Sequence, residues 1–445
     1  MHHRFKQFAA LLLFGGLSAT IIAAEPSSPA ASNPALEQLT LRQAETFFIE
    51  RNRELQLAKR AVEGAEADIL TAGAPPNPSL SIGSSQISPS NGIGSGGLRD
   101  KRIDTVIGLS QLFERGNKRG LRAGAAQFNA TASRSDRAEV ERQQKVALYG
   151  AYYDLVLAQE KLRISGETAT SFEKTTDAAK LRLKAGDIAP TELARISVDG
   201  LRAQNDARAA RADQERAQLA LAYMIGAERE ATRIHAADNW PEIQRPADTP
   251  EIERLLDGRA DVQAARARVG AAEKVRDLAR ALRTRDVTAG VQYERFPGDA
   301  SNNSYGLFVS VPLFTSYYYE GEIRRAESDL QAARDNLDRV RALALGEIAK
   351  SRSDLQSAAE RLQRFREVLL NAAQKAADGA EFAYTRGAIG VMDLLDARRQ
   401  LYATRLEAVA VQADYAKALA AWQAAITAVD RSERLPLKEP ETPTR

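Results

Sequence analysis

The sequence predicts a mainly α-helical protein with a small β part whose strands have membrane dimensions. A long antiparallel helical coiled coil is joined to four β-strands per chain, and the plan is written twice as an internal two-fold repeat. Three observations carry this. The sixteen prolines leave two long stretches empty, between Pro89 and Pro190 and between Pro312 and Pro436. Two short windows alternate apolar with small or polar residues at a period of two. Finally, Gly186 and Gly387, Ile188 and Ile389, Glu192 and Asp393, and Leu193 and Leu394 all stand 201 positions apart.

Residues 1–24 read as a secretory signal: Arg4 and Lys6 precede an apolar run from Phe8 to Ala23, and the polar "EPSSPAASNP" follows. The first repeat then spans 25–225. It opens with a helical stretch at about 36–72 and continues into a β-hairpin at 77–113, built from "NPSLSIGSSQI", a Gly/Ser/Asn loop and "RIDTVIGLSQLF". A proline-free run rich in Ala, Leu, Arg, Gln and Glu follows from about 119 to 184, roughly 100 Å if it forms one helix. Such a length implies coiled-coil packing, and the many alanines permit close helix approach. A tip near 185–190 leads into a helix over 190–225. Residues 226–250 read as an inter-repeat linker with little regular structure.

The second repeat, 251–430, copies the first: a helix at about 250–284, a hairpin at 285–314, a long helix at about 322–386, a tip near 386–391 and a helix at 391–430. Residues 431–445 form a C-terminal tail. Before the hairpins the repeat offset is 207, pairing Glu54 with Asp261 and Val62 with Val269; after them it is 201. The second hairpin is therefore six residues shorter, a difference placed in its loop. Apolar residues fall at Ile107 and Leu109 in one returning strand and at Leu307 and Val309 in its counterpart, in different phase. Which face each strand turns to lipid is open from sequence.

Each tip has a physical reading. Gly186 and Gly387 suit the left-handed position that ends a helix. Ala189 and Gly390 then fall at N-cap, Pro190 at the first helical position, and Glu192 and Asp393 at the third, where a carboxylate meets free N–H groups and the positive helix end. Asp396 lies three residues beyond Asp393 on the same helix face. Capping alone accounts for Glu192 and Asp393, and a solvated face for Asp396. The sharper reading is an acidic ring, which favours cations over anions.

Other classes are disfavoured. Without the signal the net charge falls from +3 to about +1, so no nucleic-acid partner is expected. Cysteine is absent, which removes disulfides, thiolate chemistry and a lipidated N-terminal cysteine. The histidines are His2, His3 and His235, so no metal site of the nitrogen/sulfur kind is expected. No nucleophile–base constellation and no phosphate-binding loop stand out; we expect no enzyme and no cofactor.

Four strands cannot seal themselves in lipid, because each open edge presents unpaired peptide groups. The smallest membrane barrels have about eight strands. Three copies supply twelve, so a homotrimer closing a twelve-stranded β-barrel is expected, with the helices forming a coaxial tunnel. Three-fold symmetry would gather the Asp393 and Asp396 carboxylates of all copies near the axis.

The repeated helix–hairpin–helix plan, the "PLF" strand ending at Pro312 to Phe314 and the tip pattern "YTRGAIGVMDLLDA" resemble the TolC family of outer-membrane efflux channels over essentially the whole mature chain. The stretch "QLFERGNKRGLRAGAA" (111–126) is similar to the CzcC-like branch of heavy-metal efflux. The resemblance implies a trimeric channel-tunnel in the outer membrane of a Gram-negative bacterium, in contact with outer-membrane lipid and extending into the periplasm. It would dock on a periplasmic membrane-fusion adaptor and an inner-membrane RND-type pump, and passively conduct substrates, heavy-metal cations above all. It also implies that Asp393 and Asp396 ring the periplasmic constriction, and that Tyr384 donates to an acid at Glu192 to tie neighbouring hairpins shut. Gly186, Ile188, Gly387 and Ile389 are the candidate adaptor-contact tips. A gate arginine of TolC is replaced by Ile389, with Arg386 on the other side of the glycine. Two rivals remain: a drug-efflux or type I secretion channel, and, from another class, a structural periplasmic coiled coil.

Overall fold

The computed structural model describes residues 36–85, 87, 90, 92–97, 101–244, 252–296 and 302–427. The expected signal segment, the C-terminal tail and linker residues 245–251 lie outside them. The first repeat contains α1 (Leu41–Arg51), α2 (Arg53–Gly73), β1 (Ser79–Ser85), β2 (Asp104–Phe113), α3 (Lys118–Ala185) and α4 (Pro190–Ile225). The second contains α5 (Ile252–Gly258), α6 (Ala260–Ala281), β3 (Val287–Phe296), β4 (Asn302–Ser310), α7 (Glu320–Arg364), α8 (Leu370–Thr385) and α9 (Val391–Ile426). The 68 residues of α3 run without interruption, about 100 Å. Buried alanines, among them Ala130, Ala158, Ala264, Ala265 and Ala413, let these helices pack closely.

Three expectations are corrected. The helix expected over 36–72 is broken at Asn52, which has extended dihedrals, is 2% exposed, and caps α2 by accepting from the Leu55 N–H. Its amide also donates to the Met224 carbonyl near the end of α4 at 3.1 Å. The helix expected over 250–284 is broken in the same way at Arg259, which is 1% exposed and donates to the Ala425 carbonyl near the end of α9 at 3.1 Å. Asn52 and Arg259 are 207 apart, Met224 and Ala425 are 201 apart, so one contact is made twice. In each case a buried polar side chain satisfies a carbonyl left free at a helix end. The third correction concerns the long helix of the second repeat, which passes through a π turn at Phe365–Leu369 between α7 and α8. Asn371 donates to the Glu367 carbonyl there.

The linker, where it is described, is irregular apart from one short turn, yet it is anchored to the helices. It forms a 3₁₀ turn (Glu228–Arg233), buries Ala231 and Ile234, and makes a parallel bridge between Ala236 and Leu39. Asp238 accepts from the Leu41 N–H at the start of α1, and the buried Tyr152 hydroxyl donates to the Leu39 carbonyl. Polar caps and a largely apolar core (Phe48, Leu148, Leu155, Leu221, Ile225) hold the linker against α3 and α4.

The strands form one antiparallel sheet in the order β1-β2-β3-β4. Residues paired in register share a face. Leu80 pairs with Leu109, Leu109 with Val291, and Val291 with Leu307; Ile82 pairs with Ile107, Ile107 with Tyr293, and Tyr293 with Tyr305. One face is thus almost wholly apolar, and most of these side chains are exposed, Leu307 by 87%. The other carries Ser81, Gly108, Ser110, Gln292, Glu294, Ser304 and Gly306. An apolar outward face and a polar inward face are what a membrane barrel requires. The phase difference between β2 and β4 is resolved by the register, which brings both apolar rows to the same face. Among the described residues of one chain, the outer edges of β1 and β4 have no strand partner.

Candidate functional site at the helical tips

Both tips end their helices by the same backbone geometry. Gly186 has φ +83° and Gly387 φ +72°, with nothing near the position a Cβ would occupy. The Gly186 N–H donates to the Leu183 carbonyl at 3.0 Å and Asp187 to Arg182 at 2.9 Å; Gly387 to Tyr384 and Ala388 to Ala383, both at 2.9 Å, repeat the pattern 201 residues on. This is the Schellman arrangement, and it satisfies carbonyls the helix leaves free. Ala189 and Gly390 are extended at N-cap and Pro190 begins α4. Ile188 packs against an apolar cluster of Phe172, Ala179, Ile196, Val391 and Leu395 that joins the two hairpins. Ile389 is half-buried, while Gly186 and Gly387 are exposed.

Leu394 and Leu395 are buried, which turns Asp393 and Asp396 together to the exposed side of α9. The Asp396 carboxylate accepts from Arg399 at 2.6 Å, and the same guanidinium reaches Asp199 on α4 at 2.5 Å. Asp199 is 5% exposed, so its charge is buried against this one arginine. Arg398 donates to Thr175 on α3 at 2.8 Å and lies 3.4 Å from Glu381 on α8. Sequence reasoning missed Asp199, Arg398 and Arg399. The three-residue spacing of Asp396 and Arg399 was a visible signal; the link to Asp199 was not, because it joins positions 200 residues apart.

Tyr384 is brought beside Glu192: both line one groove between the hairpins, with Arg182, Glu381, Leu394 and Arg398. The Tyr384 hydroxyl accepts from Arg182 at 2.5 Å, and that guanidinium also lies over the tyrosine ring, 5.8 Å from its centre. Arg182, in the last turn of α3, is long enough to cross the groove, and its cation gains from both the hydroxyl and the ring. Arg386 stacks on Phe382 at 4.8 Å. Arginines therefore tie the two hairpins of one chain, with Tyr384 as one anchor.

Farther from the tips, a partly buried charge cluster joins the repeats. Arg259 donates to Asp261 at 2.8 Å and to Glu347 at 2.7 Å; Arg142 donates to Glu347 at 2.8 Å and to Glu139 at 2.7 Å. Burial pushes the Glu347 carboxyl up, but hydrogen bonds from Arg142 and Arg259, with their charges, outweigh it and hold it below the usual carboxylate range. Among the described residues no group of three or more His, Cys, Asp or Glu side chains is placed to hold a metal ion. No described helix is long and apolar enough to cross a membrane.

The family model described as outer membrane efflux protein matches residues 48–227 and 252–428. The chain is 23% identical over 395 residues to the cobalt-zinc-cadmium resistance protein CzcC of Cupriavidus metallidurans, covering 86% of this chain and 88% of that one. The Campylobacter jejuni CmeC outer membrane channel shares its fold with a TM-score of 0.74 at 17% identity, over 87% of this chain and 85% of that one. CusC does so with a TM-score of 0.71 at 18% identity, over 92% and 99%. Together with a sheet apolar on one face and polar on the other, these likenesses place the chain in the outer membrane of a Gram-negative bacterium. It belongs to the outer membrane efflux protein family, the TolC-type channels.

Proposed function

We propose that the chain is the channel-tunnel of a tripartite efflux system, a homotrimer that passively conducts heavy-metal cations outward. The observation that carries this reading is the sheet: four strands with lipid-type and lumen-type faces and two unpaired edges, which identical neighbours can close into a conduit. Helical tips about 100 Å of helix away would meet a periplasmic adaptor through Gly186, Ile188, Gly387 and Ile389, and through it an RND-type pump that supplies the energy. Asp393 and Asp396, exposed together on α9, are the proposed cation-favouring constriction. Tyr384 is proposed to act in the gate through Arg182, with Glu192 at the same groove. The similarity to CzcC supports metal as cargo. Nothing in the proposed role calls for catalysis or a cofactor.

Two experiments test this. Replacing Asp393→Ala with Asp396→Ala should raise single-channel conductance in planar bilayers and weaken selectivity for cations; unchanged values remove the acids from the gate. Deleting the gene should sensitise cells to cobalt, zinc, cadmium or copper. Sensitivity to organic drugs with unchanged metal tolerance would reassign the cargo, and a soluble periplasmic protein would overturn the channel.

A further inference from the structure

We propose that the junction between barrel and helices is a docking band for anionic phospholipid headgroups, held by Arg283, Arg285 and Arg324 beside Tyr317 and Tyr318. The proposal rests on placement in the outer membrane and not on the cargo. Strands of ten residues, tilted as in other membrane barrels, span about 25 Å, the height of the apolar band of an outer-membrane barrel. At their helix-proximal ends stand exposed Phe113, Val311 and Leu313, continuing the apolar face of Leu307 and Val309. Directly beyond come Arg115, Arg119, Arg283, Arg285 and Arg324, all exposed, and three consecutive tyrosines, 317–319. That level is the headgroup layer of the leaflet facing the helices, the phospholipid leaflet.

The junction's charges are unevenly matched. Glu114 is held by Arg122 and Asp286 by Lys118 at 2.8 Å. Glu322 accepts from the Tyr317 hydroxyl and Glu320 from the Tyr318 N–H. Among the described residues, Arg115, Arg119, Arg285 and Arg324 have no carboxylate at ion-pair distance. Arg283 donates its Nε to the Tyr318 carbonyl at 3.2 Å, and Arg285 lies over the Phe314 ring, 5.4 Å from its centre. Phe314 in turn packs edge-on against Tyr318 and Tyr319. A backbone carbonyl thus holds the Arg283 guanidinium and an aromatic ring that of Arg285, and their remaining donors can meet a phosphate, the planar fork being well suited to its oxygens. Tyr317 and Tyr318, each nearly half exposed, have the apolar body and polar tip favoured at a membrane interface.

The test uses the purified trimer in phosphatidylcholine vesicles with or without a quarter of phosphatidylglycerol. Anionic lipid should raise the temperature of trimer dissociation by about 3–6 °C, high salt should remove most of that rise, and Arg283→Gln/Arg285→Gln/Arg324→Gln should abolish it while melting like wild type in phosphatidylcholine. Equal temperatures for wild type in both vesicles, or a triple variant keeping the full rise, overturn the proposal. If the triple variant does not assemble, Tyr318→Trp serves as a reporter in the intact arginine background. Brominated phosphatidylglycerol should quench it more strongly than brominated phosphatidylcholine at equal mole fraction, and equal quenching counts against the band.

Discussion

The two repeats close themselves with the same contact made by different chemistry. In the first, the Asn52 amide reaches the Met224 carbonyl; in the second, the Arg259 guanidinium reaches Ala425. The neutral amide completes its bonds locally, with Leu55 and Met224. The buried cation cannot, and it recruits Asp261 and Glu347, while Glu347 also binds Arg142 of the first repeat. One lock is private to its repeat and the other staples the two together. A repeated backbone can therefore keep a position's geometry while a change of charge alters how far its influence reaches.

The long helices differ in a parallel way. α3 runs unbroken to its tip, and Phe172 and Ala179 are buried along its last stretch. The equivalent course in the second repeat passes through the π turn, below which α8 buries only Ala377 among its described residues. Phe365, 201 residues after the buried Ile164, anchors the turn. Within one chain, α8 is thus less buried than the matching stretch of α3.

The largest expected effect separates the locks: Arg259→Ala should cost about 3–4 kcal/mol in detergent unfolding experiments, Asn52→Ala only about 1–2. Equal losses would mean that the staple between repeats contributes nothing. Next comes Glu347→Gln, which should lose about 2 kcal/mol at neutral pH, less than a fully buried pair because this carboxylate is partly exposed. Its folded pKa lies below the ordinary value of 4.5, so the stabilisation is present above that value and disappears as pH falls through the depressed one. The wild-type advantage over Glu347→Gln should accordingly shrink towards zero in acid; a pH-independent difference would speak against an ionic role. Hydrogen exchange should be about tenfold faster in α8 than in the last four turns or so of α3, from Phe172 onward, reflecting the lesser burial of α8. The smallest effects belong to the tips. Gly186→Ala and Gly387→Ala should each cost about 1 kcal/mol, and equally, because both residues are left-handed and neither site is crowded. Unequal costs would show that the tips do not share one conformation.

Much of the plan was legible in the chain. Proline placement and composition located α3 and α4 to within a residue or two, and the alternation located the strands. The glycines and Pro190 specified both tips, since turn chemistry depends on neighbouring residues alone. The breaks at Asn52 and Arg259 carry only faint local marks, a capping asparagine and Gly258, and the carbonyl that captures each side chain lies 172 and 166 residues away. The π turn left no mark in the repeat offset, which is 201 on both sides of it. At the tip, the paired acids of α9 followed from spacing, whereas the arginine ties to Tyr384, Thr175 and Asp199 needed the two hairpins to be brought side by side.

By itself, then, the order of residues determined the repeat, the length of the helices, the form of the tips and the shortage of strands. Each of these depends on local propensity or on simple counting. Only the tertiary structure decided which residues share the apolar face of the sheet, where the helices break and which arginine answers which acid. Those outcomes depend on register and on contacts between residues far apart in the chain, and a shift of a single residue in strand pairing would have reversed the faces.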